Sequence, residues 1–290
     1  MLGIGLLEEA FMQHAFLAGV PIAALAGLVG WFLVLRGQVF GAEALGHVAF
    51  TAAVTALAIG VDVRLGLFVG TVGVAVALGL FGAIGAARRA DDVLIGTGFA
   101  WVLGLGVLAL SVYTTTRSAT DGNAGVSVLF GSIFGLDAAA ARTTALVAAG
   151  LVVALLAIAR PLLFASLAPD VATTRGVPVR LLGVGFLALV GATAAQATQA
   201  VGALLLIGLL AAPAGAAHRL TTRPWLALAL SSVLAVFAMV AGLTISHLVP
   251  DVPPSFAIIA VAAACYAATF VGRSRRVRRN ADAATHSDGG

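Results

Sequence analysis

Long stretches without an ionisable side chain recur along the chain. Each is close to the roughly 20 residues that a helix needs to cross a bilayer. The uncharged runs are 15–35, 65–87, 93–116, 143–159, 224–246 and 252–272. A further segment, 37–61, is apolar apart from Glu43 and His47, and a longer uncharged run, 181–217, has room for two short crossings joined near residues 196–199. This pattern predicts eight to nine transmembrane helices.

Composition favours a membrane protein over a soluble one. Of the 290 residues, 61% are hydrophobic and only 10% are charged, whereas soluble domains typically carry about 25% charged residues. An ordinary cytosolic enzyme and a disordered protein are therefore excluded, and the single cysteine, Cys265, excludes a disulfide-rich secreted domain. Barrel strands alternate apolar and polar residues, so the unbroken apolar runs predict an all-α polytopic membrane protein.

The charges indicate how the helices are oriented. All sixteen basic residues are arginines, and with alternating spans most of them fall on one side: Arg36, Arg88, Arg89, Arg160, Arg175, Arg180, Arg219, Arg223 and the arginines of 273–279. The positive-inside rule therefore predicts an outer N-terminus and a cytoplasmic C-terminus. We expect a transmembrane domain over 1–272 and a basic, disordered tail over 273–290. Arginines next to a span contact lipid headgroups, so no nucleic-acid partner is predicted.

Two ionisable residues lie within the second predicted span. Glu43 and His47 are four residues apart, which places their side chains on one face of a helix. A carboxylate and an imidazole at this spacing can share a divalent cation, and ionisable residues inside a span indicate a pathway or a binding site. The alternative is that Glu43, seven residues beyond Arg36, lies near the interface and only forms an ion pair.

Two loops also carry a recognisable pattern. Pro169, Asp170, Arg175 and Gly176 have the order of a short capped helix over about 170–175, outside the membrane. Such a helix is either a docking element for a separate motor subunit or a connecting turn. The proline-rich segment 247–255 predicts a stiff outer loop, which is either a receptor surface or a rigid hairpin.

Several short motifs follow one another in a specific order. They are Gly41–Val48, Asp91–Gly96, Leu129–Gly135, the loop 164–178, Gln199–Leu205, Pro213–Ala214 and Val249–Pro253. From about residue 15 to 272 the chain thereby resembles the permease subunits of bacterial ABC importers for zinc, manganese and iron ions. The resemblance implies a type II ABC importer-like permease in the bacterial cell membrane, with the transported ion as cargo and no permanently bound cofactor.

The resemblance also implies partners and site residues. The expected partners are a second copy of the chain, cytoplasmic ABC ATPase subunits that bind ATP, and an extracytoplasmic metal-binding receptor. The implied residues fall into a metal pair, an ATPase-coupling loop, two charges at a cytoplasmic helix end and one outer-loop carboxylate. They are Glu43 and His47; Phe164, Asp170, Arg175, Gly176 and Pro178; Asp91 and Asp92; and Asp251.

Two departures from the family pattern leave the ion open. Glu43 replaces the family's aspartate and Gly46 replaces its serine, so the ligand atoms shift and a hydroxyl is lost. A permease for a metal chelate or corrinoid, or a secondary cation transporter that uses Glu43, remains an alternative. Contact of His14, His218 or His247 with metal is also left open.

Overall fold

The structure is a computed structural model that describes residues 9–81, 92–116, 131, 133–203 and 206–287. Within these ranges the chain is all-helical. The helices are α1 (Ala10–Arg36), α2 (Val39–Ile59), α3 (Val63–Phe81), α4 (Asp92–Thr116), α5 (Ala138–Leu167), α6 (Pro169–Thr174), α7 (Val179–Val201), α8 (Leu206–Leu220), α9 (Pro224–Leu248) and α10 (Pro254–Ser287). A single 3₁₀ turn, Ile133–Gly135, precedes α5.

The helices match the apolar runs of the sequence. In the described part of the chain, six helices are long and apolar enough to cross a membrane: α1, α2, α3, α5, α7 and α9. Three shorter apolar helices, Ala100–Thr115, Leu206–Leu220 and Pro254–Phe270, accompany them. The long uncharged run 181–217 divides as predicted into two helices, and the break follows Val201.

Helix α1 is the centre of the bundle. It packs against α5, α7, α8 and α9, and its middle residues Ile22, Leu25 and Phe32 are fully buried. Apolar side chains around it form one continuous core that reaches every one of these neighbours. A helix that is apolar on all sides is expected at such a position.

Small residues let the central helices approach backbone to backbone. A Cβ added at Gly27 of α1 would lie 2.6 Å from the Ser231 carbonyl oxygen of α9, and one added at Gly30 would clash with the Leu210 carbonyl of α8. Ser231 Oγ donates a 2.6 Å hydrogen bond to the Gly27 carbonyl. Glycine contacts and interhelical hydrogen bonds of this kind hold membrane bundles together, because lipid gives helices little hydrophobic reason to associate.

Several contacts of charged side chains lie at the two opposite ends of the bundle. At one end, Arg36 of α1 donates to Ser166 Oγ of α5, and Arg180 of α7 donates to the Leu80 carbonyl of α3. At the other end, His247 of α9 lies 3.6 Å from Glu9. The Arg36 and Arg180 contacts thus lie at one end of the bundle, and the Glu9–His247 contact lies at the other.

The last helix extends further than the sequence suggests. The backbone of α10 is helical through Ser287, across most of the segment 273–290 that we expected to be a disordered tail. Arginine and alanine dominate this segment, and both rank among the strongest helix formers. High helix propensity offers a physical reason for the continuation.

We predict that Gly27→Ala destabilises the bundle by roughly 1–3 kcal/mol, because the new methyl group overpacks the α1–α9 contact. Thermal unfolding of the detergent-purified protein measures this change. Gly150→Ala in α5 is the matched control, because a Cβ there meets no atom within 4 Å. Equal melting temperatures for the two variants would contradict close α1–α9 packing.

Candidate metal site and ATPase-coupling loop

The predicted metal pair lies in the first half of α2. Glu43 and His47 are one turn apart on this helix, and both side chains are half-buried. Gly46 lies between them in the sequence and faces the break between α7 and α8. A Cβ added at Gly46 would lie 3.3 Å from the Ala203 carbonyl oxygen and 3.2 Å from the Leu206 side chain. The absence of a side chain at Gly46 thus lets the break approach α2.

The break itself supplies polar backbone inside an apolar bundle. Helix α7 ends at Gly202, whose φ of 91° is readily adopted by glycine alone. Helix α8 begins at Leu206. In transporters, interrupted helices expose carbonyl groups at the end of the first half-helix, and these carbonyls favour cations. Gly46, which lies between Glu43 and His47 in the sequence, is the residue of α2 that packs against this break.

One chain supplies only part of a metal coordination shell. Over the ranges that the structure describes, no group of three or more His, Cys, Asp or Glu side chains is placed to hold an ion. Glu43 and His47 offer one oxygen ligand and one nitrogen ligand, whereas zinc sites usually have four ligands. For this pair to bind a metal ion, further donors would have to come from water, backbone carbonyls or another chain.

The loop 164–178 forms the short helix that its sequence predicts. Helix α6 runs from Pro169 to Thr174, with Pro169 in the first turn and Arg175 as the C-cap. Gly176 has a φ of 77° and donates to the Thr173 carbonyl, while Val177 donates to the Ala172 carbonyl. These two hydrogen bonds make a Schellman motif, which ends the helix sharply. The predicted boundaries, about 170–175, differ by one residue.

Helix α6 presents an outward-facing surface at the arginine-rich end. Ala172 is fully buried against the bundle, whereas Val171 is 50% and Leu167 59% exposed. Asp170 and Arg175 are exposed as well. Exposed Phe164 and Pro178 flank this surface at the two ends of the loop. Apolar side chains ringed by opposite charges are typical of a protein-binding surface.

The other predicted residues have separate positions. Asp91 lies outside the described residues, and Asp92 begins α4, where only the backbone is described. Asp251 is exposed and lines a cleft of about 470 Å³ at the opposite end of the bundle from α6, together with Phe11, Phe134 and His247. The structure thus does not bring Asp251 to the α2 pair.

Two other histidines, His218 and His247, contact neighbouring side chains away from the α2 pair. The His218 ring stacks on Trp31 at 5.3 Å, and its Nε2 lies 3.2 Å from the Trp31 carbonyl oxygen. His247 pairs with Glu9. His14 is half-buried on α1, and Cys265 is half-buried on α10. None of these residues belongs to a three-ligand cluster among the described residues.

Sequence patterns missed the contacts of Arg36. Its Nε donates to Gln38 Oε1 at 3.0 Å and its Nη1 donates to Ser166 Oγ at 3.1 Å. An arginine at a predicted span end is sufficiently explained by topology, so only the fold reveals that it joins distant helices. The glycine at position 37, which ends α1 with a φ of 65°, was the one local signal of a fixed corner.

Comparisons with known proteins cover almost the whole chain. The model of the ABC 3 transport family matches residues 8–273. The manganese transport system membrane protein MntC of Halalkalibacterium halodurans is 28% identical over 91% of this chain and 88% of its own length. The manganese import system permease protein ScaB of Streptococcus parasanguinis is 28% identical over 84% of each chain. The chelated iron transport system membrane protein YfeD of Yersinia pestis is 26% identical over 86% of this chain and 82% of its own.

Solved structures share the fold. A chain of PsaBC from Streptococcus pneumoniae in complex with Fab superposes with a TM-score of 0.80 at 25% identity, over 92% of this chain and 93% of that chain. An inward-facing conformation of a putative metal-chelate type ABC transporter gives a TM-score of 0.68 at 14% identity, over 90% and 86% of the two chains. The second match concerns the fold alone.

The family match spans far more than half of the chain, the relatives are membrane permeases rather than enzymes, and the helical bundle agrees with both. The chain therefore belongs to the ABC 3 transport family, as a membrane-spanning permease subunit.

Proposed function

We propose that this permease imports a divalent transition-metal ion, with manganese as the first candidate and zinc and iron next, driven by ATP hydrolysis in a separate cytoplasmic subunit. The observation that carries the proposal is the half-buried Glu43–His47 pair on α2, whose intervening Gly46 packs against the break between α7 and α8. A mixed oxygen and nitrogen ligand set suits manganese or zinc. Relatives whose names specify manganese transport support the choice of ion.

The permease works as a homodimer whose conduction path follows the two-fold axis. Two α2 helices facing each other across the axis supply two glutamates and two histidines, which completes the ligand set that one chain lacks. Closed two-fold symmetry is the commonest arrangement of homo-oligomers. The ion is held weakly, because a site that binds too tightly does not release its cargo.

The arginine-rich end of the bundle faces the cytoplasm, and the cleft at Asp251 faces the extracytoplasmic receptor. The distribution of arginines supports this orientation through the positive-inside rule, which also places the C-terminus in the cytoplasm of a bacterial cell membrane. Nine crossings fit the six long and three shorter apolar helices of the described residues. The exposed surface around α6 then becomes the docking site of the ATPase.

Chelated iron is the second candidate cargo. The name of the YfeD relative, which specifies chelated iron transport, favours it. A chelate is bulkier than a bare ion and brings its own ligands, so its transport depends on cavity width more than on Glu43 and His47. Uptake of free manganese, free zinc and chelated iron by the same reconstituted complex separates the two proposals.

We predict that His47→Ala lowers manganese uptake and that Glu43→Gln lowers it further, by about tenfold or more, which equals about 1.4 kcal/mol or more in the transport barrier. The carboxylate charge offsets the dehydration of a divalent cation, so its loss costs more than loss of the imidazole. Radiotracer uptake into proteoliposomes at matched protein density measures the rates. Thr55→Ala, at an exposed residue further along α2, is the control. Wild-type uptake in both His47→Ala and Glu43→Gln would overturn the metal-site proposal.

A second prediction concerns α6. Asp170→Arg combined with Arg175→Glu reverses both exposed charges, so we expect loss of permease-stimulated ATP hydrolysis without loss of membrane insertion. ATP turnover of the reconstituted complex and the amount of inserted permease are measured together. The control is Arg223→Glu, a charge reversal at an exposed residue of the same bundle end. Unchanged ATP turnover in the double variant would refute α6 as the coupling helix.

A further inference from the structure

We infer that Arg36 is the positioning residue that links the coupling loop 164–178 to the helix carrying the metal pair, an inference that rests on the proposed function. This assignment comes from the contacts of one side chain. Arg36 touches the helix before α6, the helix after it, and the corner from which α2 begins.

The contact with the preceding helix is a hydrogen bond. Arg36 Nη1 donates to Ser166 Oγ at 3.1 Å, and Ser166 Oγ itself donates to the Leu162 carbonyl at 2.6 Å. Ser166 lies in the last turn of α5, three residues before α6 begins at Pro169. Because Ala172 of α6 donates to the Ala168 carbonyl, the short helix follows directly from this turn. Movement of α6 is thereby transmitted to the partner of Arg36.

The contact with the following helix is a cation–π interaction. The guanidinium carbon of Arg36 lies 5.4 Å from the centroid of the Phe186 ring, two turns into α7. Phe186 is fully buried and also contacts Phe32 of α1. Aromatic faces attract guanidinium groups at this distance, more strongly where water is excluded. Both helices that flank α6 are therefore held by the same arginine.

The third contact reaches α2. Arg36 Nε donates to Gln38 Oε1 at 3.0 Å, and Gln38 is 7% exposed and precedes the first residue of α2. Gly37 ends α1 in a Schellman turn, with Gln38 donating to the Leu33 carbonyl, so the corner is rigid. Glu43 follows five residues later on the same helix. A shift at Ser166 or Phe186 therefore changes the direction from which α2 enters the bundle.

The geometry gives Arg36 a role that topology alone does not require. A topological arginine needs only to face headgroups, and lysine would serve equally. Arg36 instead donates from two different guanidinium nitrogens, to Ser166 of α5 and to Gln38 before α2, and its guanidinium carbon also lies over the Phe186 ring of α7. A lysine ammonium, with a single nitrogen, cannot reproduce this set of contacts. Coupling between sites is carried by side chains that join elements able to move between two arrangements.

The test uses the reconstituted permease–ATPase complex, with ATP turnover and manganese uptake measured on the same vesicles. Arg36→Met and Arg36→Lys are expected to keep ATP turnover near that of the wild type while uptake per ATP falls on the order of fivefold or more. Ser166→Ala is expected to lower the same ratio by a smaller factor. When Ser166→Ala is combined with Arg36→Met, uptake per ATP falls little further, because both substitutions remove the same Arg36–Ser166 hydrogen bond.

Arg180→Met is the matched control. Arg180 lies at the same end, and its hydrogen bond goes to the Leu80 carbonyl of α3 rather than to Ser166, so uptake per ATP stays at the wild-type value. Wild-type uptake per ATP in Arg36→Met, Arg36→Lys and Ser166→Ala would overturn the positioning role of Arg36. An equal fall in uptake per ATP in the Arg180→Met control would also overturn it. If Arg36→Met does not assemble, Ser166→Ala alone decides. A wild-type complex that moves no metal would instead refute the proposed function.

Discussion

Every backbone polar group inside a bilayer has to find its partner within the protein, and the divalent cation that we propose as cargo has to cross the same layer. The first requirement makes the chain a bundle of helices. The second requires polar atoms at membrane depth, where they are costly. The bundle meets both demands by confining its exceptions, which are ionisable side chains and an interrupted helix, to a few positions. Glu43 and His47 occupy one face of α2, and the break between α7 and α8 lies against the glycine between them.

Tight packing of α1 against α8 and α9 makes these polar groups inside the bundle tolerable. Glycines 27 and 30 bring α1 against the backbones of α9 and α8, and the Ser231 hydrogen bond fixes the first of these contacts. Helices α5 and α7, which flank α6, pack directly against α1 in this core. In the proposed mechanism, movement that starts at α6 therefore reaches α1 through these two helices, and Arg36 of α1 contacts both of them.

Local rules explain how much of this the sequence could predict. The spans follow from uninterrupted apolar runs, and α6 follows from a proline, an acidic first turn and a glycine cap, all of which act within a few residues. The helix of 273–287 was missed because charge density suggested a tail, while arginine and alanine propensity favours a helix. The division of 181–217 was predicted near residues 196–199, and its place after Val201 depends on Gly202.

Such local rules do not predict contacts between residues that are far apart in the sequence. No spacing in the sequence brings Gly46 to Ala203, or Arg36 to Ser166, because these pairs are joined only by the packing of whole helices. The same limit applies to the metal site. The i, i+4 spacing of Glu43 and His47 gives two candidate ligands, and in the homodimer that we propose the remaining ligands depend on how the two chains meet.

Mixed dimers test the shared site most directly. Wild-type chains and chains with Glu43→Gln and His47→Ala, carrying different affinity tags, are co-expressed with the ATPase, and the complexes holding one chain of each kind are isolated by two successive purifications. If one ion is held by both α2 helices on the two-fold axis, we predict that manganese uptake of the mixed complex falls nearly to that of the fully substituted one. Uptake at about half of the wild-type rate would mean that each chain transports independently, and would contradict a metal site shared across the dimer axis.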